Sequence, residues 1–149
     1  VREKLKREAG RKAIILISDG DDTTSRIKAD EAMIAVHSSD AVIYSIAIGG
    51  GFRGAFRSRR MMGAGDHGTL KRLSEETGGS FFNIDDSRDF DQAFARINEE
   101  LRNQYSLGFM SSNPLKDGKY RRLKIIPRDQ TYRIQARKGY YAAKGSDSQ

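Results

Sequence analysis

Short apolar runs alternate with helical periodicities through the first two thirds of the chain. Residues 13–17 and 41–48 are unbroken apolar runs rich in β-branched side chains, which is typical of strands buried on both faces of a parallel sheet. Residues 80–84 form a third, shorter run. Apolar residues at helical spacing predict helices over about 26–39, near Leu70 and Leu73, and from Asp86 to about 103. The order βαβαβα predicts an α/β fold with a parallel sheet.

The hydrophobic period changes to two after residue 104. Apolar and polar residues alternate in three stretches, 105–109, 122–125 and 132–135. Such alternation is typical of antiparallel strands with one solvent-exposed face. We therefore divide the chain into an α/β part over 1–103, a small antiparallel β extension over 104–143 and a disordered tail over 144–149.

A cluster of carboxylates follows the first apolar run, in the segment Ser18-Asp19-Gly20-Asp21-Asp22. Parallel strands deliver functional groups at their carboxyl ends, so Asp19 is expected at the working edge of the sheet. Oxygen ligands clustered there suit a hard divalent cation such as Mg²⁺. The same acids are also good caps for a following turn or helix. The spacing alone leaves both interpretations open.

Composition narrows the function classes only moderately. The chain has 149 residues, a formal net charge of +7 and no cysteine. The length allows one domain with a proper core, and the lack of cysteine excludes disulfides and thiolate metal sites. A basic balance is compatible with nucleic acid, anionic lipid or acidic protein surfaces and selects none of them. No apolar stretch is long enough to span a membrane.

A loop rich in glycine and arginine follows the second run, over residues 49–65. Arg53 and Arg57 lie close to two phenylalanines there, a combination that can bind nucleic acid or an acidic surface. We favour a solvated loop over a nucleic-acid interface, and keep the two arginines as candidate ligand-binding residues. His37 and His67 each lack a second ligand at metal spacing, so both are interpreted as surface or capping residues.

Several segments together resemble a known family. The segments IILISDG (14–20), VIYSIAIG (42–49) and LSEETGGSFF (73–82) resemble the second half of a von Willebrand factor type A (VWFA) domain. The segments QYSLGF (104–109) and RKGYYA (137–142) resemble the bacterial VWFA-related proteins common in acidobacteria. The likeness extends over nearly the whole chain, and its specificity lies in the order and spacing of the segments.

The resemblance implies a doubly wound, Rossmann-like sheet and a metal-ion-dependent adhesion site. Asp19 matches the aspartate of the family's Ser/Thr-Asp-Gly turn. The family's Asp-x-Ser-x-Ser motif, its metal-site threonine and its first three strands have no counterpart here, so the chain resembles the C-terminal two thirds of a longer protein. One carboxylate makes a weak Mg²⁺ site.

The function implied by the resemblance is protein interaction without catalysis. In the intact family, an acidic side chain of the protein partner completes the metal shell. The residues themselves do not define a compartment; the resemblance implies a secreted or periplasmic location.

A second family pattern fits the same acids. Asp19-Gly20-Asp21-Asp22-Thr23 is similar to the Asp-x-Asp-x-Thr motif of haloacid-dehalogenase-like phosphohydrolases, which implies Asp19 as nucleophile, Asp21 as acid/base and Mg²⁺ as cofactor. Asp85-Asp86 and Lys71 could then complete the site. We rank this alternative lower, because Ser45 falls inside a strand rather than at a strand end, and Asp85-Asp86 are better explained as a helix N-terminus.

The resemblance also has a consequence for association. In the family's sheet, the strand that corresponds to Ile14–Ile17 pairs with the first strand, which has no counterpart here. An apolar strand without that partner lies at a sheet edge, where its free N–H and C=O groups can pair with another chain. We therefore expect self-association through Ile14–Ile17.

Overall fold

The computed structural model describes residues 10–18, 29–48 and 67–145. In these ranges, the elements in chain order are β1 (Lys12–Ser18), α1 (Ala29–His37), β2 (Ala41–Ile48), α2 (His67–Thr77), β3 (Phe81–Ile84), α3 (Ser87–Arg102), β4 (Tyr120–Arg122) and β5 (Gly139–Tyr141).

The first three strands form one parallel sheet in the order β1-β2-β3. Ile15 lies opposite Tyr44, and Ile46 lies opposite Phe82. Helices α1 and α2 connect successive strands, as crossovers between parallel strands require. The prediction of an α/β fold with a parallel sheet is confirmed.

Strand β2 is the centre of the core and is buried on both faces. Ile43 is on the face covered by α1 and α2, where it packs with Met33, Val36 and Leu73. These residues lie on α1 at the spacing i, i+3 and on one side of α2, so each helix buries a single stripe. Full burial of an aliphatic side chain of this size stabilises the fold by about 1.5–3 kcal/mol.

Helix α3 covers the opposite face of the sheet. Tyr44 and Ile46 of β2 pack there with Ile84 of β3, and with Ala93 and Ile97 of the helix. The helix begins at a capping box and carries its apolar residues at helical spacing, as the sequence predicts.

Strand β1 is buried less than its sequence predicts. Ile14 and Leu16 pack under the α1–α2 side, but Ile15 and Ile17 on the α3 side are 41% and 47% exposed. The expectation of burial on both faces is therefore wrong for this strand. The reason is position: α3 packs against β2 and β3, and β1 lies on the other side of β2 from β3.

The junction between α2 and β3 is built against the backbone of β2. The hydroxyl of Thr77 accepts a hydrogen bond from the backbone N–H of Ile43 at 2.9 Å. The N–H groups of Gly78 and Gly79 donate back to carbonyls of the last helical turn, and Gly78 has φ +83°, the left-handed conformation of a Schellman cap. At Gly79, a side-chain Cβ would overlap the carbonyl oxygen of Ile43.

The C-terminal residues form the small antiparallel β unit that the sequence predicts, but from other residues. Strands β4 and β5 pair through three residues each. Within the described part of the chain, the alternating stretches 105–109 and 132–135 form no strand, and 122–125 contributes only Arg122, the last residue of β4. The side chains of Tyr105 and Tyr132 are exposed. Alternation alone forms no strand without a partner to pair with. Pairing continues to Lys144, which bridges to Asp117.

We expect Gly79→Ala to lower the free energy of unfolding by about 1–3 kcal/mol, because the new methyl group must displace the backbone of β2. Gly108→Ala is the matched control: no atom lies within 4 Å of its Cβ position, and we expect a change below about 0.5 kcal/mol. Urea denaturation followed by circular dichroism measures both. Equal stability of the two variants would contradict the close approach of Gly79 to the backbone carbonyl of Ile43.

Candidate functional site

The carboxyl edge of the parallel sheet is the first place to look for a site. Ser18, Ile48 and Ile84 are the last residues of the three strands, and the register brings the ends of β1, β2 and β3 to this edge. Ligands of open α/β sheets bind at such an edge. The predicted site residues Asp19, Asp21, Arg53 and Arg57 all lie outside the described residues, so their roles stay predictions.

Two further aspartates, Asp85 and Asp86, lie at this edge, and the carboxylate of Asp86 has a structural role. Asp86 is the N-cap of α3: its Oδ1 accepts the backbone N–H of Arg88 at 2.9 Å, and Asp89 completes a capping box. Two hydrogen bonds hold the pKa of Asp86 below its usual range. The one from the Arg88 guanidinium has the larger effect, and the one from the Arg88 backbone N–H comes second. Asp85 is exposed, and its backbone N–H donates to Asp89. The interpretation of this pair as a helix N-terminus is confirmed for Asp86.

The other residues invoked for phosphohydrolase chemistry are engaged elsewhere. Ser45 is fully buried inside β2, and its hydroxyl accepts a hydrogen bond from Ser74 at 2.8 Å. Lys71 is on the exposed side of α2, with its ammonium 3.9 Å from the carboxylate of Glu75. Ser45 therefore ties β2 to α2, and Lys71 is part of an exposed helical ion pair.

In residues 10–18, 29–48 and 67–145, no three His, Cys, Asp or Glu side chains come together to hold an ion. Asp19 and Asp21 are not among these residues, so Mg²⁺ binding by them stays a prediction.

A second cluster of polar side chains lies at the C-terminal ends of α1 and α2, away from the carboxyl edge of the sheet. His37, the last residue of α1, has a side chain only 2% exposed. Its ring meets the rings of Tyr120 and Tyr141 edge-on, at centroid distances of 5.2 and 5.9 Å. The hydroxyl of Tyr120 donates to Glu76 of α2 at 3.1 Å. We call these four residues, His37, Glu76, Tyr120 and Tyr141, the histidine joint.

The surface interpretation of His37 is wrong. His37 follows Met33 at the spacing i, i+4, which puts both residues on the buried side of α1. That spacing was the signal available in the sequence. The sequence could not identify what covers the ring, because Tyr120 and Tyr141 come from the distant C-terminal β unit.

Electrostatics around His37 disfavour its charged form. Burial, the largest effect, lowers the pKa of His37. Glu76 raises it, with its Oε2 3.6 Å from Nε2, while the nearby guanidinium of Arg137 lowers it. The Nδ1 atom is buried and has no hydrogen-bond partner within normal geometry, although the backbone of Gly139 is near enough to favour the proton weakly.

Arg137 fastens the β unit to the end of α1. Its Nη1 donates to Asp40 at 2.6 Å, and its Nη2 donates to the carbonyl of His37 at 3.1 Å. The neighbouring Lys138 donates its backbone N–H to the carbonyl of Glu76 at 3.1 Å. Asp40 has φ +52°, so the turn that presents its carboxylate is left-handed. These contacts hold the histidine joint closed.

An open concavity of about 360 Å³ lies beside the joint. Its lining includes the apolar and aromatic side chains of Leu107, Phe109 and Tyr140 and the charged side chains of Asp40 and Arg137. Because the two charged groups already neutralise each other, the concavity offers no unpaired charge to a ligand from these two residues. It therefore supports no ligand assignment.

Comparison with known proteins adds a likeness of fold. No family model matches the chain, and no curated protein matches it. A solved structure titled "Crystal Structure of Uncharacterized Membrane Spanning Protein from Vibrio fischeri" matches 61% of this chain at 25% identity, with a TM-score of 0.50. This chain covers 47% of that protein's chain, less than half its length.

A membrane span was also tested directly. Among the helices in the described part of the chain, none combines the length and the apolar character needed to cross a bilayer.

We expect Arg137→Ala to destabilise the protein by about 1–2 kcal/mol, because it removes two charge-assisted hydrogen bonds at a half-buried position. Arg133→Ala removes an exposed arginine four residues earlier in the same segment, and we expect little change from it. Thermal unfolding monitored by circular dichroism compares the two variants. An equal shift in Tm for both would contradict the fastening role of Arg137.

Proposed function

We propose that this chain is part of a VWFA-type protein-interaction module and not an enzyme. Its partner is a protein that presents an acidic side chain toward a divalent cation held at Asp19, with Asp21, Arg53 and Arg57 as further candidate contacts. The module acts outside the cytoplasm, as the family resemblance implies. These assignments rest on the resemblance of the quoted segments and on the support that follows.

The observation that carries the proposal is the position of β1. This strand ends at Ser18, directly before the Asp19-Gly20 of the family's metal-site turn. It is parallel to β2 and β3, so all three strands end at one edge, which is the edge that binds ligands in open α/β sheets. An adhesion site at this edge needs no nucleophile or base, only oxygen ligands and an accessible rim.

The same strand supports the view that the module is completed by further structure. Its outer edge has no strand partner among the described residues, and its α3-side face carries exposed Ile15 and Ile17. A further strand would pair with the outer edge of β1, and a helix packed on the sheet would cover Ile15 and Ile17. We infer that the remaining metal ligands belong to such a unit, and we therefore expect this chain alone to bind Mg²⁺ weakly.

The phosphohydrolase alternative has no comparable support. Of the residues it requires, Lys71 pairs with Glu75 and Asp86 caps α3. Asp85 is exposed at the sheet edge, but one exposed carboxylate supplies neither the phosphate-binding cation nor the acid/base.

Calorimetry with MgCl₂ and MnCl₂ tests the metal part of the proposal. We expect a Kd of roughly 1 mM or weaker, because one protein carboxylate replaces little of the ion's hydration shell. Asp19→Asn should abolish this binding, whereas Asp91→Asn, an exposed aspartate on α3, should leave it unchanged. Micromolar binding would mean that Asp21 or another acid completes a site. Hydrolysis of a phosphomonoester that Asp19→Asn removes would overturn the non-enzymatic assignment.

Sedimentation velocity over a range of protein concentrations tests the exposed strand. We propose that the chain self-associates through the Ile14–Ile17 edge, because paired strands satisfy free backbone groups and cover Ile15 and Ile17. Ile15→Lys and Ile17→Lys should weaken association at least tenfold, since a charge on the exposed face opposes pairing. Ile34→Lys, at an equally exposed apolar position on α1, should not. A concentration-independent monomer would exclude association through this edge.

A further inference from the structure

The histidine joint is a direct contact between the α/β part and the β4–β5 unit. His37 ends α1, and the two rings that cover it, Tyr120 and Tyr141, come one from each strand of the β unit. With its side chain 2% exposed, His37 loses its cover only if the β unit moves away. The protonation of this ring and the docking of the β unit are therefore linked.

The joint is suited to a neutral imidazole. A neutral ring carries one N–H donor and one acceptor, whereas the imidazolium carries two donors. Nε2 is 3.6 Å from Glu76 Oε2, beyond hydrogen-bond distance, and that oxygen already accepts the hydroxyl of Tyr120. Nδ1 is buried with no partner in normal geometry. A charged ring would thus need two good acceptors. The groups at hand are a carboxylate shared with Tyr120 and the backbone of Gly139, which lies outside normal hydrogen-bond geometry.

Charges from every packed element bear on the ring. On α2, Glu76 favours the imidazolium and Arg72 opposes it. From the segment before β5, Arg137 opposes it as well, and Asp40 in the turn after α1 is paired with that arginine. The β unit contributes the uncharged rings of Tyr120 and Tyr141 and the backbone of Gly139, which favours the imidazolium. Burial is the dominant effect and lowers the pKa of His37, in the direction that the geometry requires.

We propose that protonation of His37 releases the β4–β5 unit from the ends of α1 and α2, so that the joint is closed when the histidine is neutral and opens in mild acid. This device is independent of any metal site at the opposite edge of the sheet.

The direction of the pH effect follows from linkage. In the released state, His37 is hydrated and its pKa returns toward about 6.5. In the closed state its pKa is lower, so the released state binds more protons in the window between the two values. Closure is therefore most favourable well above pH 6.5 and weakens as the pH falls through and below that value, by at most about tenfold per pH unit for one proton.

Hydrogen exchange of the intact chain between pH 7.5 and pH 5, corrected for the intrinsic exchange rate, measures closure. We expect amides of residues 120–123 and 138–142 to lose protection as the pH falls, whereas amides of β2 keep theirs. A histidine NMR titration of the unmodified chain adds a readout that needs no variant: the chain has two histidines, and the signal of His37 should titrate below pH 6.5.

The two histidines also supply a matched pair of variants. His37→Gln should make protection of the β unit independent of pH across this window, and His67→Gln should leave the pH dependence as it is. If His37→Gln does not fold, the NMR titration decides alone. The proposal is overturned if His37 titrates at or above pH 6.5 or if acid increases the exchange protection of the β unit. It is also overturned if His67→Gln, and not His37→Gln, removes the pH dependence of that protection.

Discussion

The burial of β2 on both faces is the constraint on which the rest of the described structure depends. A buried strand must pair its backbone N–H and C=O groups, since water cannot reach them. Strand β1 pairs with β2 along one side. On the other side β3 pairs only from Ser45 onward, so the Thr77 hydroxyl takes the N–H of Ile43 instead. Helix α2 must therefore end at this place, and Gly79 must follow without a side chain.

The end of α2 consequently has two tasks. Its last residue, Thr77, completes the pairing of β2, and the residue before it, Glu76, receives the hydroxyl of Tyr120 and faces His37. The β4–β5 unit thus docks on the same helical turn that closes the core. This arrangement explains why a small two-stranded sheet, which would be marginal alone, has a defined position. It also makes the joint sensitive to any charge placed in it.

The histidine joint and the carboxyl edge of the parallel sheet differ in how many of their contacts lie within the described residues. The histidine joint is assembled within the described residues, with its rings, carboxylate and arginine contacts all present. The carboxyl edge near Ser18 is the end of an outer strand whose apolar face is open to solvent. In the proposed module, a unit that covers β1 would supply both stability and metal ligands, so the proposed adhesion function and the exposed strand would have one physical origin.

The sequence by itself determined the features that depend on near neighbours. The apolar runs predicted β1, β2 and β3, helical spacing predicted α1 to α3, and the cap at Asp86 followed from local hydrogen bonding. Only the tertiary structure decided which faces are covered. The run in β1 has the same apolar character as β2, yet Ile15 and Ile17 are exposed because α3 packs on other strands. His37 became a buried joint for the corresponding reason: its cover comes from Tyr120 and Tyr141, and a contact between residues so far apart in the chain leaves no periodic signal in the sequence.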